Sequence, residues 1–231
     1  MVEPSIVYED NHLLILHKPA GWLVQGDKTG DLTLTDWGRE YIRQRYNKPG
    51  EAFLHPAHRL DRPVSGLVIC CRTSKSLERM TRAFREDQIQ KVYLAIVEGS
   101  PEAMKGTLTH WLWKDKAKNR VIAYTQPKGD AKKSELSYSL EASVGGNALL
   151  LVKPKTGRPH QIRVQLSKMQ CPIVGDLKYG SEKGLRNKNI GLHAFQLIFT
   201  HPVKKIEMRL TCRPDTAEWG VFKERIDELD R

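Results

Sequence analysis

Short apolar runs, separated by polar or turn-forming residues, recur along most of the chain. About ten of them carry the branched and aromatic residues that suit β-strands, and several neighbouring runs are joined by short polar segments of the hairpin type. The candidate strands are SIVYED, LLILHKP, GLVICCR, KVYLAIVEG, GTLTHWLW, NRVIAY, SELSYSLEA, NALLLVKP, LHAFQLIFTHP and KIEMRLTC. Because these runs cluster instead of alternating strictly with helices, the pattern predicts an α+β fold with a mixed, largely antiparallel central sheet flanked by helices.

Three further segments space their apolar residues as an amphipathic helix does. The first is LTDWGREYIRQRY, the second opens at Ser74, and the third lies near the end of the chain. Their apolar positions are Leu34, Trp37, Tyr41 and Ile42 in the first, Leu77, Met80 and Phe84 in the second, and Trp219, Phe222, Ile226 and Leu229 in the third. We expect each of these faces to pack in the core.

The chain shows no break in composition that would mark a domain boundary. Proline and glycine are scattered singly, and neither a low-complexity run nor an internal repeat interrupts the pattern. A chain of 231 residues is long enough to bury a substantial core. We therefore expect residues 1–231 to form a single domain.

The charge balance favours a polyanionic partner. Lysine and arginine number 38 against 27 acidic residues, which gives a formal charge of +11. Nucleic acid fits this field best, and an acidic membrane surface is the second possibility. The four cysteines lack CxxC spacing and are expected to be reduced, packed thiols. The first apolar run is too short for a signal peptide or a membrane span, so we expect a cytoplasmic protein with no membrane association.

One acidic turn stands out as candidate chemistry. In HRLDRPVSG, Asp61 lies between Arg59 and Arg62 at a tight turn, and a partly buried carboxylate needs a cation and hydrogen bonds. The segment KTGRPHQIRVQL offers Arg163 on a helical turn whose Ile162 and Leu166 face the core. Its planar fork could hold Asp61 bidentately. From spacing alone, the alternative that Asp61 only caps the following turn stays open.

Several motifs together resemble a known family. HRLDRPVSG, the strand LVICCRT, QIQKVYLAIVEG, KPKTGRPHQIRVQL, PIVGDLKYG and LHAFQLIFTHP follow in the order seen in the RluA-like branch of RNA pseudouridine synthases. The resemblance covers most of the chain, and the combination of the HRLD and TGR-HQIR boxes is highly specific. It implies an isomerase that cuts the glycosidic bond of uridine, turns the uracil over and rejoins it to the ribose through carbon. It also implies that no metal or other cofactor is needed.

The resemblance assigns roles to individual residues. Asp61 matches the catalytic aspartate, which acts either as a nucleophile or as a base, and a free aspartate side chain is ionised at neutral pH, as both roles require. Tyr93 matches the tyrosine that stacks on the uracil, and Arg163 matches the arginine paired with the aspartate. The residues expected to contact RNA are His58, Arg59, Arg62 and Arg158. Arg62 is the candidate to enter the space that the extruded base leaves.

Clusters of basic residues are candidates for the track along which RNA lies. One group is Lys114, Lys116, Lys118 and Arg120, a second is Lys128, Lys132 and Lys133, and a third is Lys183, Arg186 and Lys188. At least one group is expected to contact phosphates, with binding that weakens steeply as salt rises. The alternative for any one group is a set of solvated lysines.

Departures from the family pattern leave the RNA target open. Pro63 and Val64 follow HRLDR where Asp-Thr is common, and Gln165 stands where a histidine is often found. The Pro-Val form resembles that of the members that act on transfer RNA, so both ribosomal and transfer RNA stay open as the target. The pattern begins almost at Met1, so we expect no separate N-terminal RNA-binding domain. We also expect a monomer that needs no obligate protein partner.

Competing functions have weaker support in the sequence. His55 and His58 have an HxxH spacing, but the sequence has no second cluster of cysteines or histidines that could complete a metal site. GDLKYGS is typical of a turn and not of a phosphate loop. A carboxylate-based nucleosidase would normally show a second acid or base carboxylate. A catalytically silent RNA-binding protein of the same fold is the other alternative, and it would tolerate replacement of Asp61.

Overall fold

The computed structural model describes residues 2–27, 29–47, 49–185 and 188–230. It divides into two compact units, the first made of Met1–Gln90 with Ala194–Cys212 and the second of Lys91–His193 with Arg213–Arg231. Helices and mostly antiparallel strands occur in both units, which confirms the α+β prediction. That residues 1–231 act as one catalytic domain stays a prediction.

The described residues form eleven strands and four α-helices. The strands are β1 Ser5–Glu9, β2 Leu13–Lys18, β3 His55–Pro56, β4 Ser65–Cys71, β5 Gln90–Glu98, β6 Lys105–Asp115, β7 Arg120–Tyr124, β8 Lys132–Val144, β9 Asn147–Pro154, β10 Leu192–Thr200 and β11 Glu207–Thr211. The helices are α1 Leu34–Arg45, α2 Ser74–Arg85, α3 Gln161–Lys168 and α4 Lys223–Leu229. All ten runs predicted as strands are strands.

The first unit is built around β2 and β4. These two strands pair antiparallel, and β1 and β3 add to them. Every residue of β2 and β4 is buried, because helices cover both faces. On one face, Leu13 and Ile69 pack with Met80 of α2. On the other, Gly38 of α1 lies against Leu14, and a glycine here lets the helix approach the strand closely.

Both helices of this unit begin with capped first turns. The Thr33 hydroxyl accepts the backbone N–H of Asp36 at 3.2 Å, and the Asp36 carboxylate accepts the N–H of Thr33 in return. In α2 the first helical residue is Ser74, as predicted, but the cap is Thr73, whose hydroxyl accepts the N–H of Ser76 at 3.2 Å. Such caps stabilise a helix by about 1 kcal/mol each.

The second unit is a meandering antiparallel sheet in the order β5, β9, β8, β6, β7. Helix α3 packs on one face of its β6–β7 end, where Leu112, Val121, Val164 and Tyr179 form a buried cluster. The predicted last helix is two elements. A 3-10 turn, Ala217–Phe222, precedes α4, because glycine in the middle of AEWGVF favours a break in the α-helix.

Cys70, Cys71 and Cys171 are free thiols. Cys70, Cys71 and Cys171 are buried, and burial raises the pKa of Cys71 to about 12. These cysteines pack as small apolar side chains, as predicted. Among the described residues, no helix has the length and apolar character needed to cross a bilayer.

Gly66, the last residue of HRLDRPVSG, fixes the place where β4 begins. Its φ of +115° lies in the region that side chains with a Cβ rarely adopt. A Cβ at this position would also collide with the backbone of Ala194 at the start of β10. The glycine is thus required twice, once for its backbone angle and once for the close approach of another strand.

We predict that Gly66→Ala destabilises the protein far more than Gly145→Ala does. Gly145 also has a positive φ, +60°, but an added Cβ there would meet no atom within 4 Å. Gly145→Ala therefore measures only the cost of the backbone angle, about 1–2 kcal/mol. Gly66→Ala adds the collision with Ala194, so the free energy of unfolding in urea should fall by at least about 2 kcal/mol more. Equal losses in the two variants would show that the collision relaxes without cost.

Candidate active site

Asp61 lies in a turn that connects β3 to β4 in the first unit. The backbone carbonyl of Asp61 accepts the N–H of Val64 at 3.0 Å, which closes the turn over Arg62 and Pro63. Leu60 and Val64 are buried on either side, so the turn is anchored in the core while the Asp61 side chain remains half-buried. A carboxylate fixed in this way keeps partial access to solvent or to a ligand.

His58 anchors the beginning of the same turn. Its Nε2 accepts the backbone N–H of Ile69 at 3.1 Å, and its ring lies 4.4 Å from that of Phe84. His55, the other member of the HxxH pair, packs against Phe53. No group of three or more His, Cys, Asp or Glu side chains arranged for a metal occurs within the described ranges. A role of His58 in RNA binding stays a prediction.

Lys18 is buried completely beneath this turn, although nothing in its sequence pattern marked it. Its side chain is 0% exposed, and its Nζ donates to three backbone carbonyls. The acceptors are Pro19 O at 3.2 Å, Trp22 O at 2.9 Å and Arg62 O at 3.2 Å. One cation therefore joins the loop after β2 to the turn that carries Asp61.

The protonation of Lys18 is finely balanced. Burial lowers the pKa of Lys18 to about 7, and the nearby positive charge of Arg62 adds to this effect. The negative charge of Asp61 acts in the opposite direction and raises the pKa of Lys18. The three carbonyl acceptors also match the three protons of an ammonium group better than the two of a neutral amine.

Arg62 completes the connection between these two loops. Its backbone carbonyl accepts the N–H of Gly21 at 2.8 Å, and its Nε donates to the Gly21 carbonyl at 3.0 Å. The guanidinium also pairs with Asp31, with 2.7 Å between nitrogen and oxygen. This side chain is exposed, as is that of Arg59. To enter a space vacated by a base, Arg62 would have to exchange the Asp31 contact for RNA.

In the second unit, Arg163 is held by a carboxylate that was not predicted. Its Nε and Nη2 lie 2.7 and 2.9 Å from the two oxygens of Asp176, which makes a bidentate ion pair. The side chains are 7% and 1% exposed. Asp176 belongs to GDLKYGS, which is a turn as predicted, and Leu177–Tyr179 within it form a short 3-10 segment. The pairing of Arg163 with Asp61 stays a prediction.

Tyr179 extends this buried pair into a network. The Arg163 guanidinium lies 5.1 Å from the centre of the Tyr179 ring. The hydroxyl of Tyr179 accepts the backbone N–H of Val121 at 2.8 Å and lies 2.6 Å from Nδ1 of His160. His160 precedes α3 in a left-handed conformation, so the network ties the second half of the TGRPHQIR box to β7.

The loop before α3 presents Arg158 to solvent. Gln161, the first residue of α3, stabilises this loop because its side-chain carbonyl accepts from the Thr156 hydroxyl at 2.7 Å and from the Arg158 N–H at 3.0 Å. Its amide donates to the Glu135 carbonyl at 3.1 Å. Arg158 is thus an exposed guanidinium on a fixed backbone, which suits the predicted contact with RNA.

Tyr93 is half-buried on β5. It lies opposite Val152 of β9, which lies opposite Tyr138 of β8, so the three share one face of the sheet. The predicted basic groups are exposed where the structure describes them. The first group lies at the β6–β7 hairpin and the second leads into β8, whereas Arg186 of the third lies outside the described residues.

Comparison with known proteins identifies the family. The family described as RNA pseudouridylate synthase matches residues 12–168, a range that includes Lys18, Asp61, Tyr93 and Arg163. Because this match covers more than half of the chain, the protein belongs to that family, whose members are isomerases that make pseudouridine in RNA. Its similarity to bacterial ribosomal pseudouridine synthases confirms the resemblance to the RluA-like branch.

Two bacterial relatives illustrate the similarity. Ribosomal large subunit pseudouridine synthase C of Buchnera aphidicola subsp. Baizongia pistaciae is 34% identical over 229 residues, covering 96% of this chain and 70% of the relative. Ribosomal large subunit pseudouridine synthase D of Borreliella burgdorferi is 32% identical over 197 residues, or 84% of this chain. The chain spans 60% of the length of that second relative.

Solved structures show the same fold. Human RNA Pseudouridylate Synthase Domain Containing 4 matches with a TM-score of 0.75 at 24% identity, covering 96% of this chain and 92% of that one. Human RNA Pseudouridylate Synthase Domain Containing 1 matches with a TM-score of 0.71 at 28% identity, covering 92% and 84%. The pseudouridine synthase fold predicted from the sequence is therefore confirmed.

We predict a specific pH dependence of stability from Lys18. Its pKa is about 7 in the folded protein and about 10.4 when unfolded, so between these values the unfolded chain binds one more proton. Wild type should therefore gain free energy of unfolding, relative to Lys18→Met, as pH rises from 7 to 10. Urea unfolding of both proteins across this range measures the difference. If the free energies of unfolding of wild type and Lys18→Met change in parallel with pH, the prediction is wrong. Lys75→Met, on the exposed face of α2, is the control and should follow wild type.

We predict that Asp176→Asn lowers the free energy of unfolding by about 3–5 kcal/mol, because it breaks the bidentate ion pair with the buried Arg163 guanidinium. The matched control is Asp227→Asn, which removes a carboxylate paired with the exposed Arg213 at 2.8 Å. A surface pair of that kind contributes about 1 kcal/mol or less. Urea denaturation measures both, and similar losses in the two variants would argue against a buried charge as the cause.

Proposed function

We propose that the protein converts uridine to pseudouridine in RNA, with Asp61 as the catalytic carboxylate. The observation that carries the proposal is the turn holding Asp61, which lies inside the family match and is anchored from below by a buried lysine. The turn supplies what the reaction requires of the protein, a single carboxylate held in a fixed place. Product and substrate are isomers, so the reaction consumes no second reactant.

The chemistry assigned to Asp61 has two alternatives. It either attacks the sugar or the base as a nucleophile, or removes a proton from the ribose, and both roles need an ionised carboxylate. Tyr93 is proposed to stack on the uracil and Arg163 to pair with Asp61 during the reaction. Both assignments rest on the match between the TGRPHQIR and KVYLA boxes and the family pattern.

Ribosomal RNA is the substrate that the comparisons favour. Both bacterial relatives are named for the large ribosomal subunit, whereas support for transfer RNA comes from the Pro63-Val64 form of the HRLDR box. The uridine must leave its stack to be reached, at a cost of a few kcal/mol that contacts between phosphates and basic side chains can offset. Arg59 and Arg158 are exposed and available for such contacts, and the exposed Arg62 would join them by exchanging its Asp31 contact for RNA.

We predict that Asp61→Asn lowers the rate of pseudouridine formation by about 10²- to 10⁴-fold or more, because the amide is neither a nucleophile nor a base. The assay incubates the protein with unmodified ribosomal RNA and with transfer RNA, then quantifies pseudouridine and free uracil in each. Asp215→Asn, at an exposed position near the chain end, is the matched control and should keep full activity.

The same assay separates the alternatives. Release of free uracil without pseudouridine would identify a nucleosidase. RNA that is bound but unchanged by wild type would identify a catalytically silent RNA-binding protein. Pseudouridine formed equally by wild type and Asp61→Asn would remove Asp61 from the mechanism, and a product found only in transfer RNA would change the proposed substrate.

A further inference from the structure

The strands β6 and β7 carry aromatic residues on the sheet face opposite α3. Leu112 and Val121 point toward α3 and are buried with it. Because side chains alternate along a strand, Trp111 and Trp113 point to the other face. Trp113 leaves 39% of its surface exposed, which is a large apolar area for a residue in a regular strand.

These aromatic residues are adjacent across the two strands. Trp111 lies opposite Tyr124, and Trp113 lies opposite Ile122, which is also 39% exposed. Isolated apolar side chains on a surface need no explanation, but a contiguous group of four large ones indicates a contact surface. No described element covers Trp113 or Ile122, since both are exposed within the complete set of described residues.

Lysines border the aromatic group. Lys133 of β8 lies opposite Trp111 in register, and the Nζ of Lys128 lies 4.6 Å from the centre of the Tyr124 ring. The nearby carboxylate of Glu135 is paired with Lys155 at 3.2 Å, so it does not cancel their charge. We call this surface the aromatic–lysine face; it consists of Trp111, Trp113, Ile122, Tyr124, Lys128 and Lys133.

We propose that the aromatic–lysine face binds a single-stranded segment of RNA, with bases stacked on Trp113 and Trp111 and phosphates bound by Lys128 and Lys133. Flat aromatic rings beside cations on an open sheet are the combination that binds unpaired bases. Trp111 and Trp113 are two residues apart on one strand, so their Cα atoms are about 6.8 Å apart. That is roughly twice the 3.4 Å rise of stacked bases, so an unstacked strand fits and a duplex does not.

The charge of this surface decides among possible occupants. A second copy of this chain, with its own net charge of +11, would bring two positive surfaces together at an unfavourable electrostatic cost. RNA brings the opposite charge. Tyr138 lies across from Gly106, which is six residues before Leu112 on β6 and therefore on the same face of the sheet. Tyr93 and Tyr138 thus share the face that carries Leu112, and the aromatic–lysine face is the opposite one. The bound segment would therefore be separate from the nucleotide that contacts Tyr93.

The proposal rests on the proposed function only in naming RNA as the ligand, and direct binding tests it. The probe is a fluorescein-labelled, unstructured RNA of about 12 nucleotides, within the range of known single-strand sites. Its Kd for the full chain is measured by anisotropy. Trp113→Ala should raise this Kd by about fivefold or more, whereas Trp113→Phe, which keeps a stacking ring, should stay within about twofold.

A second variant tests the charge and does not depend on the first. Lys133→Ala should raise the Kd and should make the slope of log Kd against log salt shallower by about 0.7, the value for one phosphate contact in single strands. The controls are Val221→Ala, which is 64% exposed in the native protein, and Lys75→Ala on α2. Neither should change the Kd. Annealing the probe to its complement should abolish the difference between wild type and Trp113→Ala.

Three results would overturn the proposal. They are a Kd for Trp113→Ala within twofold of wild type, an equal loss in Val221→Ala, or a dimer of the native chain that Trp113→Ala dissociates while the Kd is unchanged. Failure of the proposed function is distinguishable, because pseudouridine formation is assayed separately. If wild type makes no pseudouridine but Trp113→Ala still binds RNA more weakly than wild type, the proposed function is wrong and the proposal for the aromatic–lysine face holds.

Discussion

A buried ammonium group must find acceptors on every side, and in this protein that requirement organises the turn carrying Asp61. Lys18 ends a fully buried strand, and its Nζ meets carbonyls from a loop next to it in sequence and from Arg62, 44 residues away. An unsatisfied buried charge would cost several kcal/mol, so the two loops are constrained to remain together. The buried side of the turn therefore determines where Asp61 lies.

Much of the fold could be predicted because its strands obey simple patterns. Runs of branched residues between turn signals located all ten predicted strands, including the hairpin β8 to β9 with its two glycines at 145 and 146. The two-residue β3 could not be found, because His55–Pro56 is too short for periodicity and proline is a poor strand former. The last helix was placed correctly but its 3-10 beginning was not, since apolar spacing does not distinguish the two helix types.

The residues of the candidate site could be predicted only in part from the sequence. Asp61, Tyr93 and Arg163 were proposed because whole boxes of sequence match a family, whereas the buried Lys18 and Asp176 were not predicted. Each of these two is a charged residue at the end of an element, and in a sequence such residues are expected to face solvent. Their burial follows from partners far along the chain, 44 residues away for Lys18 and 13 for Asp176. For Lys18 the local signal is its place at the end of the strand-like run LLILHK, whereas Asp176, between Gly175 and Leu177, has no such signal.

The hydroxyl of Tyr179 affects more than the network around Arg163. β7 is the edge strand of its unit, and the unpaired N–H groups of an edge strand can pair with a strand of another molecule. The phenol occupies the N–H of Val121 and so blocks ladder extension within this five-residue strand. Self-association through pairing of β7 with a strand of another molecule is thereby disfavoured. A flexible ligand can then bind the face of the β6–β7 hairpin without competition from aggregation at the sheet edge.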